Sequence, residues 1–151
     1  MTTRHEAPRA EESLDMPTFW ADLAARFTLQ IVYAFGTRAK EVAAWPGPQS
    51  PLPASASDVD IGVKPAAGCR LKPLEKVDIA QGIEEALGVP KVDLVVLPEA
   101  DPFLAANIIR GERLYCTDTY LADEYELYIL RRAGDLIPLE RERIALIMGD
   151  T

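Results

Sequence analysis

Apolar residues along the chain fall into short blocks whose spacing switches between two periods. Leu29 to Phe35 (LQIVYAF) is an almost unbroken apolar run of strand length, rich in β-branched and aromatic residues and stopped by Gly36. Val59, Ile61 and Val63 alternate with Asp58, Asp60 and Gly62, the period-two pattern of a strand. KVDLVVL, residues 91–97, is a third strand-like block. Between these the spacing turns helical. Pro17 to Phe27 carries Phe19, Trp20, Leu23 and Phe27 at three- and four-residue intervals, with a proline in the first turn. Lys72 to Leu87 carries Leu74, Val77, Ala80, Ile83 and Leu87, with Gly88 placed to cap its end. Thr37 to Ala44 can begin a helix, and Asp101 to Arg110 reads as another, with Asp101 as N-cap and Gly111 as its stop. Thr119 to Arg132 and Leu139 to Met148 read as two more, separated by Gly134 and Pro138. The alternation of strand and helix predicts an α/β domain, one sheet with helices packed on it.

Segments without either period complete the layout. Residues 1–16 are polar and mixed in charge, and are expected to form a flexible tail. Residues 45–57 (WPGPQSPLPASAS) hold four prolines in nine positions and are expected to be a loop, read as a surface insertion rather than a lid. Residues 17–118 then form the main domain and 119–151 a C-terminal helical segment. That segment is apolar on more than one side: Leu121, Tyr125 and Tyr128 share a face, whereas Leu127, Ile129 and Leu130 lie off it. Such a helix packs into its own domain or against another chain.

Composition narrows the chemistry. A formal net charge of −8 argues against a nucleic-acid surface. No run reaches the roughly 18 apolar residues of a membrane span, and the N-terminus has no apolar signal core, so a cytoplasmic protein is expected. Cys69 and Cys116 lack motif spacing and are read as reduced thiols. The single histidine, His5, falls in the expected tail, which speaks against a zinc site or a histidine-based triad.

Two features carry candidate chemistry. Asp58 and Asp60, at i and i+2 of a strand, point to one face and repel unless a proton or cation lies between them. Asp93 sits inside an apolar run, where a carboxylate is rare without a partner. If the third strand lies beside the second, the three carboxylates form an oxygen-rich set suited to Mg²⁺ or Mn²⁺. The other feature is FGTRAK, residues 35–40: a strand running into Gly36, then a hydroxyl, then Arg38 and Lys40 at a helix start. Glycine admits close backbone approach, helix N–H groups favour phosphate, and arginine offers it a planar fork. Each feature alone has a plainer explanation, as solvated strand ends or as an ordinary turn. Together they describe phosphoryl chemistry.

YAFGTRAK, SDVDIGV and KVDLVVL, in that order, resemble the signature of the nucleotidyltransferase superfamily with the DNA polymerase β-like fold, and within it the minimal nucleotidyltransferases (MNT) that act as antitoxins to HEPN toxins. LAANIIRGERLY is similar to the helix and closing turn that end many such domains. The resemblance implies a short mixed sheet with flanking helices and a C-terminal helical extension. It implies that Gly36 and Thr37 hold a nucleoside triphosphate, with ATP as the expected donor, and that Arg38 and Lys40 neutralise its charge. Asp58, Asp60 and Asp93 would be the metal ligands, with Asp93 helping to deprotonate the attacking hydroxyl. The implied reaction transfers AMP to a hydroxyl of a HEPN-type partner, in a hetero- or homo-oligomer. An antitoxin of this fold that neutralises by binding alone, and a nucleotidyltransferase acting on a small molecule, are the rival readings. Three departures stand out: Thr37 replaces the family's serine, Glu41 stands where a glycine is common, and 22 positions separate Gly36 from Asp58.

Overall fold

The computed structural model describes the backbone of residues 16–148 and the side chains of residues 18–134. The three apolar blocks form β1 (Leu29–Phe35), β2 (Val59–Pro65) and β3 (Val92–Val96), and a fourth strand, β4, spans Glu112–Cys116. The helices are α1 (Met16–Phe27), α2 (Ala39–Ala43), α3 (Pro73–Leu87), α4 (Pro102–Ile109) and α5 (Thr119–Met148). Local chemistry sets the helix ends. Asp101 accepts hydrogen bonds from the N–H groups of Phe103 and Leu104, both at 2.9 Å, and so caps α4. Glu75 accepts from the Lys72 N–H at 2.8 Å where α3 begins, and Gly88 ends that helix in the left-handed conformation.

The sheet is mixed, in the order β3-β2-β1-β4. β1 runs antiparallel to β2 and β4, while β2 and β3 are parallel. Alternation along the strands divides the apolar residues between two layers. Val32, Ala34, Val59, Ile61, Val63, Val92 and Val96 face the layer that contains Trp20, Leu23, Val42, Ile79, Ile83 and Leu87. Ile31, Tyr33 and Phe35 face the layer formed by Ala105, Ala106 and Ile108 of α4 and Ala122, Ile129 and Ala133 of α5. Burying side chains of this size stabilises the fold by about 1.5–3 kcal/mol each. A polar lock also holds α5 to the sheet. The fully buried Tyr33 hydroxyl donates to Glu126, and Arg113 Nη2 donates to Glu126 at 2.7 Å and to Asp123 at 2.8 Å. Burial, with Glu126 beside it, drives the Tyr33 phenol far above its ordinary pKa.

Three expectations need correction. The strand β4 (ERLYC) is absent from the apolar pattern because all five of its residues are only half-buried. The two expected C-terminal helices are one helix, α5, continuous through Gly134 and Pro138. A proline inside a helix keeps a helical φ but removes one N–H bond and crowds the carbonyl four residues before it, a cost of about 3 kcal/mol that this helix carries. On α3 the buried stripe is Ile79, Ile83 and Leu87, whereas Leu74 and Val77 face solvent. Cys69 and Cys116 are free thiols. The expected N-terminal tail and His5 lie outside the described residues.

The proline-rich loop is fastened between Trp45 and Pro53. Trp45 is buried, and its indole N–H donates to the Ser50 carbonyl at 2.9 Å. The Leu52 N–H donates to the Leu87 carbonyl at 2.8 Å, and Pro51 packs against Gly88 at the end of α3. Trp45 also meets Phe19 and Trp20 edge-on, with ring centroids 5.4 and 6.0 Å away.

Candidate active site

The end of β1 meets the beginning of β2, with Phe35 opposite Asp60. Gly36 follows with a φ of +78°, and a Cβ there would overlap Asp60 Oδ2. The chain thus needs glycine twice, for the left-handed turn and for the carboxylate packed against it. Asp58 immediately precedes β2 and shares the face of Asp60. The parallel register sets Asp93 directly opposite Asp60. Gly62, two residues beyond Asp60 on the same face, lies under Ile108 of α4. The carboxylates therefore occupy the part of this face that α4 leaves uncovered.

Their charges interact. Burial, then the nearby carboxylates of Asp93 and Asp58, hold the Asp60 pKa above the ordinary aspartate range. Lys91, two residues before Asp93, brings its ammonium to 3.8 Å from Asp58 Oδ2 and 3.5 Å from Asp93 Oδ1. Asp60 has no such cation among the described residues. An oxygen-only set of three aspartates is of the right kind for Mg²⁺ or Mn²⁺. As placed, no three acidic, histidine or cysteine side chains among the described residues close around a single point as a metal cage would. The expected cage appears instead as a shared face, a repelling Asp60–Asp93 pair, and a lysine bridging Asp58 to Asp93.

Gly36 also borders a cleft of about 420 Å³. Gly36, Thr37 and Lys40 line it from the turn, and Asn107, Arg110 and Glu112 from the end of α4 and the start of β4. Thr37 and Lys40 are exposed there, with Lys40 Nζ 3.8 Å from Glu112. Arg38 is elsewhere. Only 4% exposed, it donates from Nε to Glu41 at 2.6 Å and from Nη2 to the Pro53 carbonyl at 2.7 Å. The guanidinium holds the Glu41 carboxyl below the ordinary glutamate range. Arg38, expected to neutralise phosphate, thus ties the turn to the proline-rich loop, and the departure at Glu41 supplies its counter-charge. The helix after the turn, α2, has only five residues, so its dipole adds little. Sequence reasoning did not single out Lys91, Asn107, Arg110 or Glu112. Lys91 was legible by its two-residue spacing from Asp93; the other three come together only through the packing of α4 and β4.

The family model described as "Polymerase beta, Nucleotidyltransferase" matches residues 22–120. The chain belongs to the polymerase β nucleotidyltransferase family. Within this nucleotidyltransferase family, the fold is similar to that in a crystal structure of the toxin–antitoxin pair MntA–HepT, with 24% identity, 89% of this chain and 95% of that chain covered, and a TM-score of 0.57. A toxin–antitoxin structure with AMP-PNP gives 24% identity, 88% and 96% coverage and a TM-score of 0.61. A third, a tri-AMPylated Shewanella oneidensis HEPN toxin in complex with MNT antitoxin, gives 25% identity, 89% and 94% coverage and a TM-score of 0.57. No curated protein matches the chain. As a nucleotidyltransferase domain it has no helix, among the described residues, long and apolar enough to cross a membrane.

Proposed function

We propose that this nucleotidyltransferase moves AMP from ATP onto a hydroxyl of a HEPN-type partner protein, and so acts as the antitoxin of a toxin–antitoxin pair. The observation that carries the reading is the placement of Asp58, Asp60 and Asp93 on one face, with Asp60 against the Gly36 turn. Further support is the similarity to an MNT antitoxin whose HEPN partner is tri-AMPylated.

Asp58, Asp60 and Asp93 would hold a divalent cation, whose charge offsets that of the phosphates. Gly36 exposes backbone to the triphosphate, and the Thr37 hydroxyl donates a hydrogen bond to a phosphate oxygen. Lys40 adds positive charge from the cleft. The acceptor hydroxyl oxygen forms the new bond to the α-phosphorus as the bond to pyrophosphate breaks, in line. Asp93, opposite Asp60, receives the hydroxyl proton. Tyr120, Leu121, Leu127, Tyr128 and Leu130 are exposed on α5 and give the partner an apolar surface.

Those exposed residues equally favour a second reading, an antitoxin that neutralises by binding alone. One experiment separates the two. The protein is incubated with α-labelled ATP, Mg²⁺ and a HEPN-type partner, beside the Asp58→Ala/Asp60→Ala variant. Label on the partner, lost in the variant, supports transfer. No label, with the variant still neutralising the toxin, supports binding alone.

A further inference from the structure

The motif places one arginine next to the Gly36 turn, but the fold has committed that arginine to the proline-rich loop. Another arginine lines the cleft. Arg110 follows the last turn of α4, its side chain is exposed, and it has no ion-pair partner among the described residues. Its backbone N–H is bonded to the Ala106 carbonyl at 3.3 Å, so the side chain stands on a fixed backbone.

We infer that Arg110, with Lys40, holds the β- and γ-phosphates of the nucleotide, the part that leaves as pyrophosphate. The inference rests on the nucleotidyltransferase reading above and names the residue that supplies its phosphate fork. Gly36 is common to both: Asp60 lies against it, and it lines the cleft. A triphosphate whose α-phosphorus lies at the carboxylates and whose chain crosses Gly36 enters the cleft. There it meets the Thr37 hydroxyl, one ammonium and one guanidinium. A planar fork suits two phosphate oxygens at once, which a lone ammonium cannot match. Glu112 also lines the cleft and opposes the anion. It lies 3.8 Å from Lys40 and so offsets one of the two cations, which leaves Arg110 as the net positive charge. The cleft, at about 420 Å³, is within the usual range for ligand pockets.

The test is calorimetric titration in Mg²⁺ buffer of wild type, Arg110→Gln and Arg110→Lys. The probes are the α,β-methylene analogue of ATP, which cannot transfer its AMP, and inorganic tripolyphosphate, which has no nucleoside. Arg110→Gln is expected to weaken both about tenfold or more, as loss of a charge-assisted bidentate contact does. Arg110→Lys should recover part of the loss. The unfolding midpoint should not move, because the side chain is exposed. Equal analogue affinity in wild type and Arg110→Gln overturns the inference and leaves the nucleotidyltransferase reading standing. The inference also fails if the analogue weakens while tripolyphosphate does not, since Arg110 would then act on base or sugar. A wild type that binds neither probe overturns both.

Discussion

Replacing Gly36 by alanine tests the packing of turn against carboxylate. The new Cβ meets two penalties. At a φ of +78° an L-residue is strained by about 1–2 kcal/mol. The same Cβ overlaps Asp60 Oδ2, and forcing an extra methyl group into a filled space costs about 1–3 kcal/mol more. Gly36→Ala should therefore lose about 2–5 kcal/mol of stability in urea unfolding. In an Asp60→Ala background the overlap is gone and only the backbone strain persists, so the penalty should fall to about 1–2 kcal/mol. The difference, a coupling of about 1–3 kcal/mol, is read from a double-mutant cycle of four unfolding curves. Gly62→Ala is the comparison: its Cβ would meet Ile108 Cγ2 at 2.6 Å, so its cost should be blind to Asp60. If Gly36 and Asp60 prove additive within about 0.5 kcal/mol, the carboxylate does not rest on the turn and the reasoning fails.

Arg38→Gln leaves the Pro53 carbonyl and Glu41 without their guanidinium, and should cost about 2–3 kcal/mol in denaturant unfolding. Limited proteolysis should then cut within residues 45–57, while affinity for the ATP analogue changes less than about twofold; a larger loss would return Arg38 to the phosphate site. Lys91→Met removes an ammonium 3.5–3.8 Å from Asp58 and Asp93. At an exposed site that charge opposes a divalent cation by about 1 kcal/mol, so Mn²⁺ affinity followed by electron paramagnetic resonance should rise roughly fivefold. A fall would mean instead that Lys91 orders the carboxylates. Without metal, the Asp60 carboxyl should titrate above the ordinary aspartate range by carbon-13 NMR, and Asp93→Asn should bring it down. Because the folded form keeps its proton to higher pH than the unfolded chain, this group's contribution to stability is full at low pH. It is lost as pH rises from about 4 through the raised value. An Asp60 shift towards lower pH would refute that electrostatic account.

How much of this was readable from the chain depends on how local each signal is. β1 was legible to the residue, because an apolar run of strand length, interrupted only by Gln30, is closed by Gly36. The Asp101 cap was equally local, a side chain bonding N–H groups two and three residues ahead. Period two alone put Asp58 with Asp60. That Asp93 joins them required β3 to lie parallel beside β2, which the motif order suggested and the pattern could not decide. β4 escaped because an edge strand of half-buried residues leaves no apolar run. The α3 stripe was misjudged because Leu74 and Val77 fit the helical spacing without being buried. The burial of Arg38 was hidden for another reason: an arginine is expected at the surface, and its partner Pro53 lies fifteen residues away. The cleft residues Asn107, Arg110 and Glu112 depend on how α4 packs, information that no stretch of sequence holds by itself.

The pairing of Asp60 with Asp93 also bears on how the molecule aligns itself. β3 is an edge strand paired only with β2, and a slide by one residue is opposed by that ladder, by the Val92 N–H bond to Glu84 of α3 at 2.9 Å, and by the burial of Val92 and Val96. Such a slide would turn Asp93 inward among Ile79, Ile83 and Leu87, where an unpartnered carboxylate costs several kcal/mol. Asp93 therefore adds a penalty of its own against misalignment of the strand. Replacing it with valine would remove that safeguard and invite a mixture of misaligned chains, whereas asparagine keeps a polar group that resists burial. For an inactive control, asparagine at position 93 is the safer choice.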